Sequence, residues 1–174
     1  IIRGSDEDLL EAYDICVRGA NSGNPWSMGR LSRMYRDGIY VKPDLDKAIC
    51  LMRVPSKKRI PWARNEMIDM LVRRANKEDY VEAYQLSLEG VFEKDSWCCV
   101  KLSRLYSNGK GIEKNLDLAI ILMRTAYVDG VPVARNELRE LLKSRGSAED
   151  KKDAVVKLYK DTNLSLIHIS EPTR

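Results

Sequence analysis

Apolar side chains recur four apart in short runs set between turn signals: Leu31 with Tyr35, Met67 with Leu71, and Leu102 with Tyr106. That spacing puts each pair on one face of a helix. A first set of helices opens at Pro25-Trp26, Pro61-Trp62, Ser96-Trp97 and Pro132-Val133. Proline suits such starts, because the N–H it lacks has no partner in a first turn. A second set opens at Asp44 and Asn115, good N-caps, and at Ser5, Asn76 and Ser147. Each member of this last trio has an aspartate three residues on (Asp8, Asp79, Asp150), a capping box with a short acid. Gly38 and Gly109 read as left-handed C-caps. The pattern predicts helices over 6–18, 25–37, 45–54, 61–74, 78–89, 96–108, 116–128, 132–144 and 148–161. Pro55 is expected to cut or kink the third of them, just before the basic run Lys57-Lys58-Arg59.

The same positions keep a beat. Ala12, Ala48, Ala83, Ala119 and Ala154 are 35 or 36 residues apart, and so are Trp26, Trp62 and Trp97, with Val133 in the fourth place. A period near 35 is the mark of stacked helical repeats. Sliding the chain by 71 residues gives a sharper register: between Ala12 and Leu71, 22 of 60 positions are identical. Leu31-Ser32-Arg33 matches Leu102-Ser103-Arg104, and Ala63-Arg64-Asn65-Glu66 matches Ala134-Arg135-Asn136-Glu137. An alanine at one fixed place on every second helix points to close helix–helix approach.

The segment Leu31-Ser32-Arg33-x-Tyr35-x-x-Gly38-x-x-Val41-x-x-Asp44-x-x-x-Ala48 resembles the Sel-one-like repeat, a branch of the tetratricopeptide-like repeats. Leu102 to Ala119 is a second copy, with Tyr106, Gly109, Gly111, Ile112 and Asn115 at the matching places. Such units usually carry glycine where Ser32, Ser103 and Tyr40 stand, and the units opening at Trp62 and Val133 lack the glycine-rich loop. The resemblance spans about residues 8–161. It implies an all-α, right-handed superhelical solenoid of antiparallel helix pairs. Residues 1–163 are read as a repeat array truncated at both ends. Leu164–Arg174 breaks the period and resembles translated sequencing-adapter sequence, a non-native tail that would also remove His168, the sole histidine.

Composition narrows the functional classes. The chain carries a net charge of +4 with no block of five or six like charges, so neither nucleic acid nor an anionic membrane is demanded. No stretch reaches the roughly 20 apolar residues of a membrane span. Pentatricopeptide repeats share the period and bind RNA, but lack the Leu-Ser-Arg-x-Tyr-x-x-Gly turn. Cys16, Cys50, Cys98 and Cys99 show no metal-ligand spacing; Cys98 and Cys99, adjacent on a helix, face different ways. The lack of paired cysteines in every repeat favours a reducing compartment, with the cytoplasm as the expected location; the missing initiator methionine leaves an upstream leader open. Gly109-Lys110-Gly111 follows a helix rather than a strand and lacks the phosphate-loop pattern. Asp44, Asp46, Asp117, Glu137 and Glu140 fall at caps or on polar faces. No catalytic constellation, metal site or cofactor is expected.

One face repeats residue types suited to binding. Three and seven residues after Trp26 come Gly29 and Arg33; Trp62 is followed by Asn65 and Asp69, Trp97 by Val100 and Arg104, Val133 by Asn136 and Glu140. In tetratricopeptide-like arrays the matching face lines the concave side. Two readings stand: each tryptophan packs between adjacent helices, or Trp26, Arg33, Trp62, Asn65, Trp97, Arg104 and Asn136 form a groove with an aromatic floor and Arg/Asn contacts. The expected function is a scaffold binding a peptide or partner protein there. The alternative is a non-catalytic C-terminal repeat domain of a larger bacterial enzyme, such as a surface-polysaccharide transferase.

Overall fold

The computed structural model describes residues 5–146, which form eight α-helices and, among the described residues, no strand. They are α1 (Asp6–Asn21), α2 (Pro25–Asp37), α3 (Leu45–Lys57), α4 (Pro61–Arg74), α5 (Lys77–Phe92), α6 (Ser96–Asn108), α7 (Leu116–Val128) and α8 (Ala134–Arg145). Each helix packs against the next, and α4 also meets α6. This is an all-α helical repeat solenoid, in which α2, α4, α6 and α8 form one layer. The ninth expected helix and the tail 164–174 lie outside the described residues.

The caps at Ser5, Asp44, Asn115, Gly38 and Gly109 are those the sequence signals, and Asn24 and Asp95 add two it does not single out. Asn24 and Asp95 accept backbone N–H bonds at the starts of α2 and α6, and Asp44 and Asn115 do so for α3 and α7. Ser5 and Asp8 form the capping box of α1. Gly38 (φ 70°) and Gly109 (φ 64°) close α2 and α6 in the left-handed region.

Four boundaries differ from expectation. Helices α1 and α5 run on through Gly19 and Gly90 instead of stopping beside them. A Cβ on Gly19 would sit 2.1 Å from Ser27 Oγ, and one on Gly90 2.1 Å from Cys98 Sγ. These glycines therefore admit the start of the following helix rather than end their own. Pro55 does not cut α3, which continues to Lys57. The missing N–H affects only the last turn, and the ring is buried among the core side chains at the place Ala126 takes in α7. Finally, α8 begins two residues late, because Pro132 and Val133 form a turn with no side-chain cap.

The marker alanines Ala48, Ala83 and Ala119 are fully buried. Ala12 is exposed, since no described helix covers that side of α1. Cys98 belongs to the core between α3 and α6, and its neighbour Cys99 to the core between α6 and α8, so the two thiols do face different ways. Ser32 and Ser103, where glycine is usual, are fully buried, and their hydroxyls donate to the carbonyls of Ala48 (2.7 Å) and Ala119 (2.6 Å). Each hydroxyl ties a first helix to its paired second helix.

Candidate functional site

The first-helix layer is held by ion pairs whose signs alternate. Arg33 of α2 binds Glu66 of α4 through Nε, 2.9 Å from both carboxylate oxygens, and again through Nη2. Lys101 of α6 reaches back to Asp69 of α4 at 2.6 Å. Arg104 of α6 binds Glu137 of α8 through Nε at 2.9 Å and through Nη2. Thus α2 and α6 present cations where α4 and α8 present carboxylates. Complementary neighbours cannot have identical charge, so the faces can repeat only every second unit. This supplies a physical reason for the 71-residue register to be sharper than the 35-residue one. The glutamate hydrogen bonds raise the pKa of both arginines further. The side chains remain about 40% exposed, which limits each pair to roughly 0–1 kcal/mol of stability.

The seven expected site residues fall into separate groups. Trp26, 67% exposed, stacks on Trp62 with ring centroids 5.0 Å apart, and the Arg33 guanidinium lies 5.7 Å from the Trp62 centroid. Trp62 itself is half-buried over Gly29, and its indole Nε1 is buried without a hydrogen-bond partner. Asn65 is committed to structure: its Nδ2 donates to the Pro61 carbonyl and to Asp95. Trp97 has valine, not tryptophan, at the next register position, and borders a cleft of about 430 Å³ with Pro61, Asp95 and Pro132.

Arg104 and Asn136 come together. Both line a cleft of about 610 Å³ between α6, α7 and α8, with Asn108, Met123 and Leu141. A smaller cleft of about 120 Å³ lies on the other side of Arg104, against Asp69, Val72 and Lys101. Arg104 therefore stands between two hollows on the first-helix face. The hollows offer amides, one guanidinium held by its glutamate, and an apolar floor.

Sequence reasoning placed the arginines but missed their partners, Glu66 and Glu137. The available signal was the identical Ala-Arg-Asn-Glu stretch at 63–66 and 134–137. It also missed Arg64, only 1% exposed and ion-paired to Glu93. No group of three or more His, Cys, Asp or Glu side chains among the described residues could hold a metal ion, and no described helix is long and apolar enough to cross a membrane.

Comparison with known proteins agrees with this architecture. No curated protein sequence matches the chain. Among solved structures, a protective antigen of uropathogenic Escherichia coli displaying an SLR fold superposes with a TM-score of 0.72 at 24% identity, over 85% of this chain. A Sel1 repeat protein from Oxalobacter formigenes superposes with a TM-score of 0.68 at 18% identity, over 83% of this chain. The chain spans about a third of the first protein's length and 60% of the second's. The Sel1 repeat profile matches residues 27–53 and 98–127, the α2–α3 and α6–α7 pairs. Those two segments are Sel1 repeats, and the chain is an all-α repeat array built on them.

Proposed function

We propose that this chain is an interaction module that holds a peptide segment of a partner protein along its first-helix face. Sel1 repeats generally form protein–protein interaction modules, and the placement of this site is argued from the chain itself. The observation that carries it is the cleft of about 610 Å³ where Arg104, Asn108 and Asn136 surround the apolar Met123 and Leu141. An asparagine amide offers a donor and an acceptor, which matches the two polar groups of a peptide unit. Arg104, positioned by Glu137, suits a peptide carbonyl or carboxylate. Farther along the face, the stacked Trp26 and Trp62 with Arg33 provide a second contact point rich in the residue types of binding hot spots.

The test is selection of peptide ligands from a random displayed library, followed by amide chemical-shift mapping. Peptides that perturb Asn108, Asn136 and the Arg104 backbone support the reading. Arg104→Ala and Asn136→Ala should each weaken them by about 1–2 kcal/mol. A folded Arg33→Ala/Arg104→Ala double variant that binds the selected peptides normally moves the site off this face.

A further inference from the structure

The basic run Lys57-Lys58-Arg59 ends α3 beside a second hollow, distinct from the first-helix face. It is a cleft of about 430 Å³ between the end of α3 and the middle of α5, floored by Met67 and Leu86. Ser56 lines it. That serine is only 5% exposed, yet its hydroxyl has no hydrogen-bond partner. That oxygen is enclosed, so its missing partner marks imperfect packing at this place rather than a contact open to a ligand. Lys57 and Arg59 stand at the cleft with exposed side chains, Arg59 also facing Glu93 at 3.5 Å.

The other copy of the repeat shows what this hollow replaces. At the 71-residue register Ser56 corresponds to Tyr127, Lys57 to Val128 and Arg59 to Gly130. Tyr127 packs against the second core. The first copy therefore has a small hydroxyl where the second has an aromatic ring, and two cations where the second has none. Arg59 also adopts φ 56°, a left-handed conformation that Gly130 takes at φ 82° without a Cβ penalty. The lost packing, the orphaned hydroxyl and the strained arginine coincide at one hollow. Stability alone does not select that combination.

We infer that this cleft is a second ligand site, which takes a carboxylate-bearing, partly apolar peptide segment. Lys57 and Arg59 meet the carboxylate, the Gln85 amide supplies hydrogen bonds, and Met67 and Leu86 cover an apolar side chain. Glu82 is occupied by Arg53, its Oε2 lying 3.0 Å from Nη2. Glu89 also lines the cleft. It can accept a peptide N–H, a donor that free phosphate does not offer, which favours a peptide over the bare anion.

The experiment is amide chemical-shift titration of the full chain with an acetylated, amidated hexapeptide of alternating glutamate and leucine. Controls are its glutamine counterpart and inorganic phosphate. Saturable shifts at Ser56, Lys57 and Gln85 with the acidic peptide, and at least tenfold weaker binding by the glutamine peptide, are expected. Ser56→Tyr restores the ring found in the other copy and should abolish binding. Lys57→Glu, an exposed change that does not depend on repacking, should weaken it at least tenfold. The inference is overturned by absent or non-saturating shifts at the cleft, by equal binding of the glutamine peptide, by phosphate binding as tightly, or by retained affinity in a folded Ser56→Tyr variant. Shifts confined to Arg104 and Asn136 overturn it too, while leaving the first-helix reading intact.

Discussion

Gly29 and Trp62 share one volume. A Cβ built on Gly29 would lie 2.4 Å from Cη2 of the Trp62 indole, closer than any relaxed contact allows. At the 71-residue register the corresponding pair is Val100, buried in the second core cluster, and Val133, packed against it. Glycine with tryptophan in one copy thus stands at the register positions of valine with valine in the other.

This reciprocity predicts strong coupling. Gly29→Val alone forces the indole aside and should cost about 1–3 kcal/mol. Trp62→Val alone leaves a cavity and should cost about 3 kcal/mol. The double variant should recover at least about 1 kcal/mol relative to the sum. Chemical denaturation of the four proteins measures it, and strict additivity would show that the two residues do not share that space.

Ser103 should be worth more than its size suggests. Its hydroxyl donates to the Ala119 carbonyl across fully buried surface, so Ser103→Ala should lose about 1 kcal/mol. Ser103→Gly, the residue usual at this place, should lose up to about 1 kcal/mol more through backbone entropy. Equal stability of all three proteins would mean the hydroxyl contributes nothing.

The acid limb of the stability curve should report Asp79. This carboxylate is 2% exposed, accepts from Arg74 Nε at 2.8 Å and from the Asn76 N–H, and its pKa is held below the ordinary 3.8, first by the Arg74 hydrogen bond. A depressed folded-state pKa means the unfolded chain takes the proton first. The stabilisation is therefore complete above 3.8 and is lost as pH falls below it through the folded value. Asp79→Asn should cost about 3 kcal/mol at neutral pH and flatten the dependence below that value. Melting temperatures against pH for both proteins provide the comparison; an unchanged acid limb would clear Asp79 of this role.

Thiol labelling should separate the four cysteines by burial. Burial first, then the nearby Asp95 carboxylate, pushes the Cys98 thiol up to about 12, and Cys99 is also raised by burial. Since the thiolate is the reacting form, both should resist alkylation in mildly alkaline buffer. Cys50, exposed on α3, should label first and the half-buried Cys16 next. Peptide mass spectrometry after timed iodoacetamide treatment gives the order, and early modification of Cys98 would contradict the packing at Gly90.

The sequence by itself determined the helices, their caps and the repeat, because these depend on contacts within one turn or on residue types recurring at fixed spacing. Asp44, Asn115, Gly38 and Gly109 act through neighbouring backbone, so their roles are visible in a single line of residues. It could not show that Gly19 and Gly90 continue their helices, since the reason is a side chain on the next helix. Nor could it show that Pro55 is tolerated, which depends on what buries the ring. The face carrying Trp26, Arg33, Trp62, Trp97, Arg104 and Asn136 was likewise legible as a recurrence of residue types. Only the tertiary structure assigned Arg33 to Glu66 and Arg104 to Glu137 and drew Asn65 to Asp95. It alone left hollows beside Arg104 and Ser56. Ion pairs and cavities are formed by residues about 30 positions apart meeting in space, and local spacing does not encode which of them meet.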